Sequence, residues 1–241
     1  MHVASAHQAD GPSPWRLVYF DDFRHGLSPS YWGKYSGQPG GDPGGRWAPS
    51  HVVVVHGLLD LPTYRDPQFR GRWVSGGLSS ALAVRQVYGK YEVRVRMDPG
   101  YGVAGAVLLW PASNRWPPEV DLWETGGAHA DRDQAAATVH HGAQNTFVQR
   151  QIHARFTTWH TVGVEWLPSS LSFTLDGRTF WQVRGDAVPR VPMVLDIQSQ
   201  AGTCADGFNP CPTAHTPSRV DLQVAWVRIY AYHSIASGAA P

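Results

Sequence analysis

The chain alternates apolar and polar residues over short segments, and no segment carries the long apolar stripe of an amphipathic helix. Residues 87–97 alternate apolar with charged or polar side chains, as a strand with one exposed face does. Asp176 and Gly177 separate two further strand-like segments, which predicts a hairpin with a two-residue turn. The 25 Gly and 19 Pro interrupt the chain too often for long helices. The pattern therefore predicts an all-β fold, an antiparallel sandwich.

Residues 14–233 are predicted to form one domain, because no linker separates two folded halves. Residues 1–13 are polar, so we expect a disordered N-terminal segment, and we expect residues 234–241 to form a flexible tail. The first eight residues lack the charged and apolar regions of a signal peptide. We interpret the start of the chain as the trimmed or re-engineered N-terminus of a secreted protein.

The charge of the chain argues against several kinds of partner. The formal net charge is +1, only 16% of the residues are charged, and no run of Lys or Arg is present. Nucleic acids and anionic membrane surfaces both require such a run or patch. No apolar stretch approaches the roughly 20 residues of a membrane-spanning helix. We therefore expect no nucleic acid and no membrane partner, and a monomer in solution.

Cys204 and Cys211 are the two cysteines, and the segment around them is rich in Gly, Pro, Asn and Asp. Two cysteines this close in a loop predict a local disulfide and an oxidising compartment. The alternative is a pair of free thiols in a cytosolic protein. No metal site is expected, because the 12 His show no HxH or HxxxH spacing and two thiolates need further ligands.

Three acidic residues occur within the six positions 119–124, EVDLWE. Their neighbours are apolar and rich in Trp, and acids in such surroundings cost free energy unless they are paired or used. On a regular strand Glu119 and Asp121 would share one face and Glu124 would point to the other. One extra residue, a β-bulge at Leu122 and Trp123, would return Glu124 to the face of the other acids. Such a trio suits glycosidic bond cleavage, which needs a nucleophile, a proton donor and a group that separates their protonation states.

Aromatic side chains near the acids are candidate sugar contacts. Trp110 and Trp116 flank the acids and are predicted to stack on sugar rings, with a place in the core as the alternative for either. Trp123 is expected in the core. Residues 33–47 are dense in turn formers and predict either a cleft wall or an inert surface loop, and Arg46 and Trp47 in this loop are further candidate contacts.

The acidic segment resembles the Glu-x-Asp-x-x-Glu signature, in its bulged form, of glycoside hydrolase family 16, the group of laminarinases, lichenases, agarases and carrageenases. Residues 88–94, YGKYEVR, resemble the family's Tyr-Gly-x-Tyr/Phe-Glu-x-Arg segment. Residues 20–23, 108–111 and 227–230 resemble further segments of the family, and all occur in the family's order. The resemblance covers residues 15–232.

This resemblance implies a concanavalin A-like β-jelly roll, in which two stacked antiparallel sheets form a concave substrate cleft. It implies retaining hydrolysis of internal β-glycosidic bonds, with Glu119 as the nucleophile and Glu124 as the general acid/base. Asp121 would hydrogen-bond the nucleophile and bias its protonation. Only one of the adjacent His140 and His141 can face the cleft, and the family's pattern favours His140, with a structural role as the alternative.

Many relatives bind a structural calcium ion through an Asp shortly before the C-terminal strand, where this chain has Ala225. Asp221 is in phase with that position but lies farther back, so calcium binding stays open and no cofactor is expected to be required. The favoured function is a secreted endo-β-glycanase acting on a neutral polysaccharide, with β-1,3- or mixed β-1,3-1,4-glucan as the substrate. The alternatives are an agar- or galactan-active hydrolase, a transglycosylase, or a carbohydrate-binding jelly roll without catalysis.

Overall fold

Sixteen strands make up almost all of the regular structure in the computed structural model, which describes residues 13–40, 42–204 and 209–234. The helical segments in these ranges are single 3-10 turns at Pro49–His51, Pro67–Phe69 and Gly185–Ala187. None of the helices in the described ranges has the length and apolar composition needed to cross a membrane. The predicted disordered segment, residues 1–13, and the predicted flexible tail, residues 234–241, lie outside the described residues except for residues 13 and 234.

The strands form two sheets, a nine-stranded back sheet and a seven-stranded front sheet. The back sheet contains β1 (Trp15–Asp21), β3 (Val53–Val55), β4 (Leu58–Asp66), β5 (Arg72–Val74), β7 (Gly89–Met97), β12 (His160–Leu167), β13 (Ser170–Leu175), β14 (Arg178–Arg184) and β16 (Arg219–Tyr232). The front sheet contains β2 (Gly33–Lys34), β6 (Gly77–Ser79), β8 (Val103–Pro111), β9 (Glu119–Thr125), β10 (Gln134–His141), β11 (Thr146–His153) and β15 (Met193–Ala201).

Every strand pair is antiparallel, which confirms the predicted sandwich. The back sheet runs in the order β14-β13-β12-β7-β16-β4-β3, with β1 beside β16 and β5 beside β4. The front sheet runs in the order β11-β10-β9-β8-β15-β6-β2. The predicted hairpin is present, and Asp176 (φ 49°) and Gly177 (φ 78°) form its turn with the left-handed backbone that suits the twist of the strands.

The hydrophobic core lies between the sheets and follows from the alternation in the sequence. In β7, Tyr91, Val93 and Val95 are completely buried, while the intervening polar residues point away from the core. The front sheet contributes Trp123, whose ring meets Phe156 edge-on at a centroid distance of 5.7 Å. The core placement predicted for Trp123 is therefore confirmed. The opposite face of the front sheet is left free to carry polar side chains.

The Trp123 ring fills space between the sheets, so Trp123→Ala should lower the free energy of unfolding by about 3–5 kcal/mol. Urea unfolding followed by circular dichroism measures this loss. The control is Trp226→Ala, because Trp226 is only partly buried and its ring lies under the Arg228 guanidinium at 4.6 Å. A loss at Trp123 no larger than the loss at Trp226 would contradict the core assignment.

Candidate active site

The three acids of β9 lie beside an irregularity in the pairing of β9 with β10. Thr138 lies opposite Asp121, and Ala136 lies opposite Glu124. Three residue steps on β9 therefore correspond to two steps on β10, which is the signature of a β-bulge. The bulge predicted from the sequence is confirmed at its predicted position.

The extra residue also appears in the pairing of β9 with β8. Val107 lies opposite Trp123 and Leu108 lies opposite Asp121, so Leu122 has no partner on β8. Leu122 and Trp123 are both completely buried, although they are consecutive residues. Two consecutive inward side chains shift the alternation by one residue, and the shift brings Glu124 to the outer face of the front sheet.

A groove of about 940 Å³ runs across the outer face of the front sheet, and Glu119, Asp121 and Glu124 all line it. The loop predicted to wall a cleft does so, since Tyr35, Gly40 and Trp47 line the same groove. Trp47 is held there by its indole N–H, which donates to the carbonyl of Ser199 on β15 at 2.9 Å. The groove is therefore bounded by segments that are far apart in the sequence.

Glu119 is the acid with the most hydrogen-bond donors and positive charge around it. The indole N–H of Trp116 donates to Glu119 Oε2 at 2.6 Å. Burial raises the pKa of Glu119 overall, and this hydrogen bond, the charge of His140 and a hydrogen bond with Asp121 limit the rise. These groups stabilise the carboxylate, so Glu119 is the member of the trio that ionises most readily.

Asp121 and Glu124 have no such compensation. Burial raises the pKa of Asp121 well above its usual range, and the charges of Glu119 and Glu124 raise it further. Burial and the charge of Glu119 raise the pKa of Glu124 to about 7. The site therefore combines one ionised carboxylate with two carboxyl groups that keep their protons at mildly acidic pH, the division of roles that paired acid catalysis needs.

His140 lies on β10 beside the acids and lines the groove, as the sequence analysis favoured. Its Nδ1 lies 2.8 Å from Asn145 Oδ1, and its Nε2 faces Asp121 Oδ2 at 3.7 Å. The amide oxygen of Asn145 accepts a hydrogen bond, so Nδ1 is protonated, and Nε2 is directed at the acids.

Of the other predicted sugar contacts, Trp110, Trp116 and Trp47 line the groove, and Arg46 is not among the described residues that do. The Arg46 guanidinium instead packs over the Phe69 ring at 5.0 Å. Trp47, the next residue, forms a β-bridge with Ser75. Neighbouring side chains on an extended segment point to opposite sides, so the side chains of Arg46 and Trp47 are directed apart. The position of Arg46 gives no support to a role in substrate binding.

Asp196 on β15 is a fourth carboxyl group in the groove, and the sequence analysis missed it. It is 5% exposed, and its Oδ1 has no hydrogen-bond partner among the described residues. Burial raises its pKa to about 7, although hydrogen bonds from Ser79 and Tyr35 oppose the shift. Gln198 continues the same row. The signal in the sequence was the alternation of polar with apolar residues along β15.

The chain matches the family model described as Glycosyl hydrolases family 16 over residues 45–224, about three quarters of its length. The chain belongs to glycosyl hydrolase family 16. This confirms the family that the acidic segment indicated, and the family-16 match includes β9 and all three of its acids.

The relatives of this family-16 chain include glucan-degrading enzymes. Endo-1,3-1,4-beta-glycanase ExsH of Rhizobium meliloti (strain 1021) is 30% identical over 143 residues, which are 56% of this chain and 30% of ExsH. A Beta-glucanase of Rhodothermus marinus is 24% identical over 196 residues, covering 73% of this chain and 68% of that protein. The chain spans about a third of the length of ExsH and of a second Rhizobium glycanase, EglC.

The endo-beta-1,3-glucanase from Pyrococcus furiosus superimposes with a TM-score of 0.80 at 22% sequence identity. The alignment covers 91% of this chain and 95% of that one. The similarity confirms the predicted jelly-roll fold for the family-16 chain.

Two further predictions concern residues outside the groove. Cys204 and Cys211 form the predicted disulfide, with their Cα atoms 4.7 Å apart. Asp221, the residue considered for calcium binding, accepts a hydrogen bond from Arg219 Nε at 2.6 Å, and calcium binding stays a prediction. Among the described residues, no group of three or more His, Cys, Asp or Glu could hold a metal ion.

Asp196 should make the stability of the protein depend on pH. Between about pH 4 and pH 7 the unfolded chain loses this proton while the folded protein keeps it, so the folded state loses stability as the pH rises. Asp196→Asn removes the ionisation, and its stability relative to the wild type should increase by up to about 4 kcal/mol across this range. Urea unfolding at a series of pH values measures the difference.

Asp186→Asn, at an exposed position, is the control and should leave the pH dependence of stability unchanged. A constant difference between Asp196→Asn and the wild type from pH 4 to pH 8 would contradict the assignment of a buried, late-titrating carboxyl group.

Proposed function

We propose that this family-16 protein is an endo-β-glycanase that hydrolyses a neutral β-glucan with retention of configuration. The observation that carries the proposal is that the bulge in β9 places Glu119, Asp121 and Glu124 together on one wall of a groove. Their surroundings separate their protonation states, as a nucleophile and a proton donor require.

In the first proposed step the Glu119 carboxylate attacks the anomeric carbon, and Glu124 donates its proton to the departing glycosidic oxygen. The product is a glycosyl ester on Glu119 and a released sugar chain with a new hydroxyl group. The hydrogen bonds from Trp116 and Asp121 hold the attacking carboxylate in place and keep it ionised. Both chemical roles are filled by side chains of this chain, so the proposed reaction calls for no cofactor.

The second proposed step reverses the role of Glu124. The charge of Glu119 contributes to the raised pKa of Glu124, and that charge disappears when Glu119 becomes an ester. The pKa of Glu124 then falls, so Glu124 becomes a base that takes a proton from the attacking water. Hydrolysis of the ester returns both acids to their starting states.

The lining of the groove favours an uncharged substrate. Its lining includes four carboxyl groups, and Arg85 is its only Lys or Arg among the described residues. A sulfated polysaccharide would meet the negative charge of Glu119 and a single cationic side chain, whereas neutral sugars offer hydroxyl groups to the acids and ring faces to the Trp side chains. The name Endo-1,3-1,4-beta-glycanase of the two Rhizobium relatives favours β-1,3- or mixed β-1,3-1,4-glucan and attack on internal bonds.

The proposed place of action is outside the cell. Polymeric glucans of this kind are extracellular substrates for a hydrolase, and the disulfide between Cys204 and Cys211 fits an oxidising compartment. A family-16 enzyme with these properties would act as a monomer on the polysaccharide.

Incubation with laminarin, lichenan, agarose and galactan tests the proposal, with product size and reducing ends as readouts. We expect short oligosaccharides from laminarin or lichenan, and agarose and galactan should remain intact. Glu119→Gln should reduce turnover by about 10³-fold or more, because an amide is not a nucleophile at the anomeric carbon.

The control for Glu119→Gln is Glu165→Gln, the same chemical change on β12, where Glu165 pairs with Lys90 at 3.4 Å. This variant should keep the wild-type rate. Hydrolysis that survives in Glu119→Gln would rule out Glu119 as the nucleophile, and binding without hydrolysis by the wild type would indicate a carbohydrate-binding protein.

The dependence of kcat/KM on pH should be bell-shaped. Activity needs ionised Glu119 and protonated Glu124, so kcat/KM should rise as Glu119 loses its proton and fall above about pH 7 as Glu124 loses its own. Asp196 titrates in the same range, so Asp196→Asn is the essential comparison. The alkaline limb should persist in Asp196→Asn, and its disappearance there would assign the limb to Asp196 instead of Glu124.

A further inference from the structure

Phe147 is a large apolar side chain with 57% of its surface exposed, on the outermost strand of the front sheet. It lies directly opposite His140 in the pairing of β10 with β11, and the two ring centroids are 5.7 Å apart. Cross-strand partners share a face of a sheet, so the Phe147 ring lies on the same face as the groove. The proposed reaction does not involve this ring.

The Phe147 ring is the outer end of a row of three rings that begins at the catalytic acids. The Trp116 indole, which donates to Glu119, has its centroid 5.7 Å from that of His140. The His140 ring in turn is followed by Phe147 at the same spacing. The turn between the strands supports the row, because Asn145 binds His140 Nδ1.

Other side chains of β11 show which of its residues lie on the groove face of the front sheet. Gln149 Nε2 donates to Thr138 Oγ1 at 3.0 Å, and Thr138 lies opposite Asp121. Gln149 therefore lies on the groove face with Phe147, two positions away along β11. Val148 lies between them and opposite the buried Val139, so its side chain is directed to the other face.

We propose that Phe147 is the platform of an additional sugar subsite, two strands beyond the acids, on which a pyranose ring of the bound polysaccharide stacks. The inference rests on the proposed function and names a position where the substrate chain continues past the cleavage point. An exposed ring continuous with the groove, with the uncharged hydrogen-bonding group of Gln149 beside it, fits the apolar face and hydroxyl groups of a neutral sugar.

A subsite this far from the acids acts on affinity for long substrates and not on the chemical step. Phe147→Ala should therefore raise KM for the polymer by about fivefold, with kcat unchanged. Turnover of an oligosaccharide too short to reach β11 should stay at the wild-type value. Phe147→Trp should restore the affinity for the polymer, since a larger ring offers the same kind of surface.

The matched control is Val148→Ala, a truncation at the adjacent position on the opposite face, which should change neither KM nor kcat. Binding is measured separately by calorimetry in the Glu119→Gln background, with β-1,3-gluco-oligosaccharides of increasing length. The gain in affinity on reaching the Phe147 position should be present with Phe147 intact and absent when Phe147→Ala is added.

Equal effects of Phe147→Ala on short and long substrates, or none on either, would overturn the subsite. An equal loss for Val148→Ala would do the same, because it would indicate a structural effect of the edge strand. Failure of the proposed function gives a different result, since the wild type would then hydrolyse none of the glucans.

Discussion

The unpaired residue in β9 reconciles two demands that a regular strand could not meet together. Trp123 must be buried between the sheets, and its neighbour Glu124 must reach the solvent-facing groove. On an ordinary strand, side chains alternate strictly from Asp121 onward. Leu122 would then lie in the core, Trp123 on the groove side, and Glu124 would point into the core. A carboxyl group there would lack both water and partners. Placing Leu122 and Trp123 inward in succession removes this conflict and orders the acids around the groove.

The chemistry of the site follows from the unequal stabilisation of the ionised forms of its buried acids. Burial raises the pKa of each member of the trio, but only Glu119 receives donors that favour its ionised form. Trp116 supplies one such donor from the segment just before β9, so the aromatic residue that flanks the acids also favours the ionised form of Glu119. Asp196 adds a fourth carboxyl group near the same charge. Buried acids with raised pKa values make the folded state less stable at neutral pH, and active sites commonly contain such groups.

Much of this arrangement is readable from the sequence because it is local. The alternation in β7, the turn at Asp176 and Gly177, and the bulge in β9 each depend on residues within about ten positions of one another, and the structure confirms all three. Asp196 was missed for the opposite reason. It meets the acids only because β15 lies beside β8, and β8 beside β9, an order that no local pattern specifies. Arg46 illustrates the same limit, since the path of its loop decides what it contacts.

The proposed reaction and the choice of substrate depend on different parts of the chain. The acids, Trp116 and the bulge come from one short segment, so the proposed reaction depends on that segment. The rest of the groove is assembled from the loop of residues 33–47, from β15 and from the hairpin of β10 and β11. Side chains in these elements can change while the backbone hydrogen bonds that hold β9 between β8 and β10 stay in place. In the proposed function, substrate length and linkage would therefore depend on side chains such as Phe147 and Trp47, which lie away from the acids.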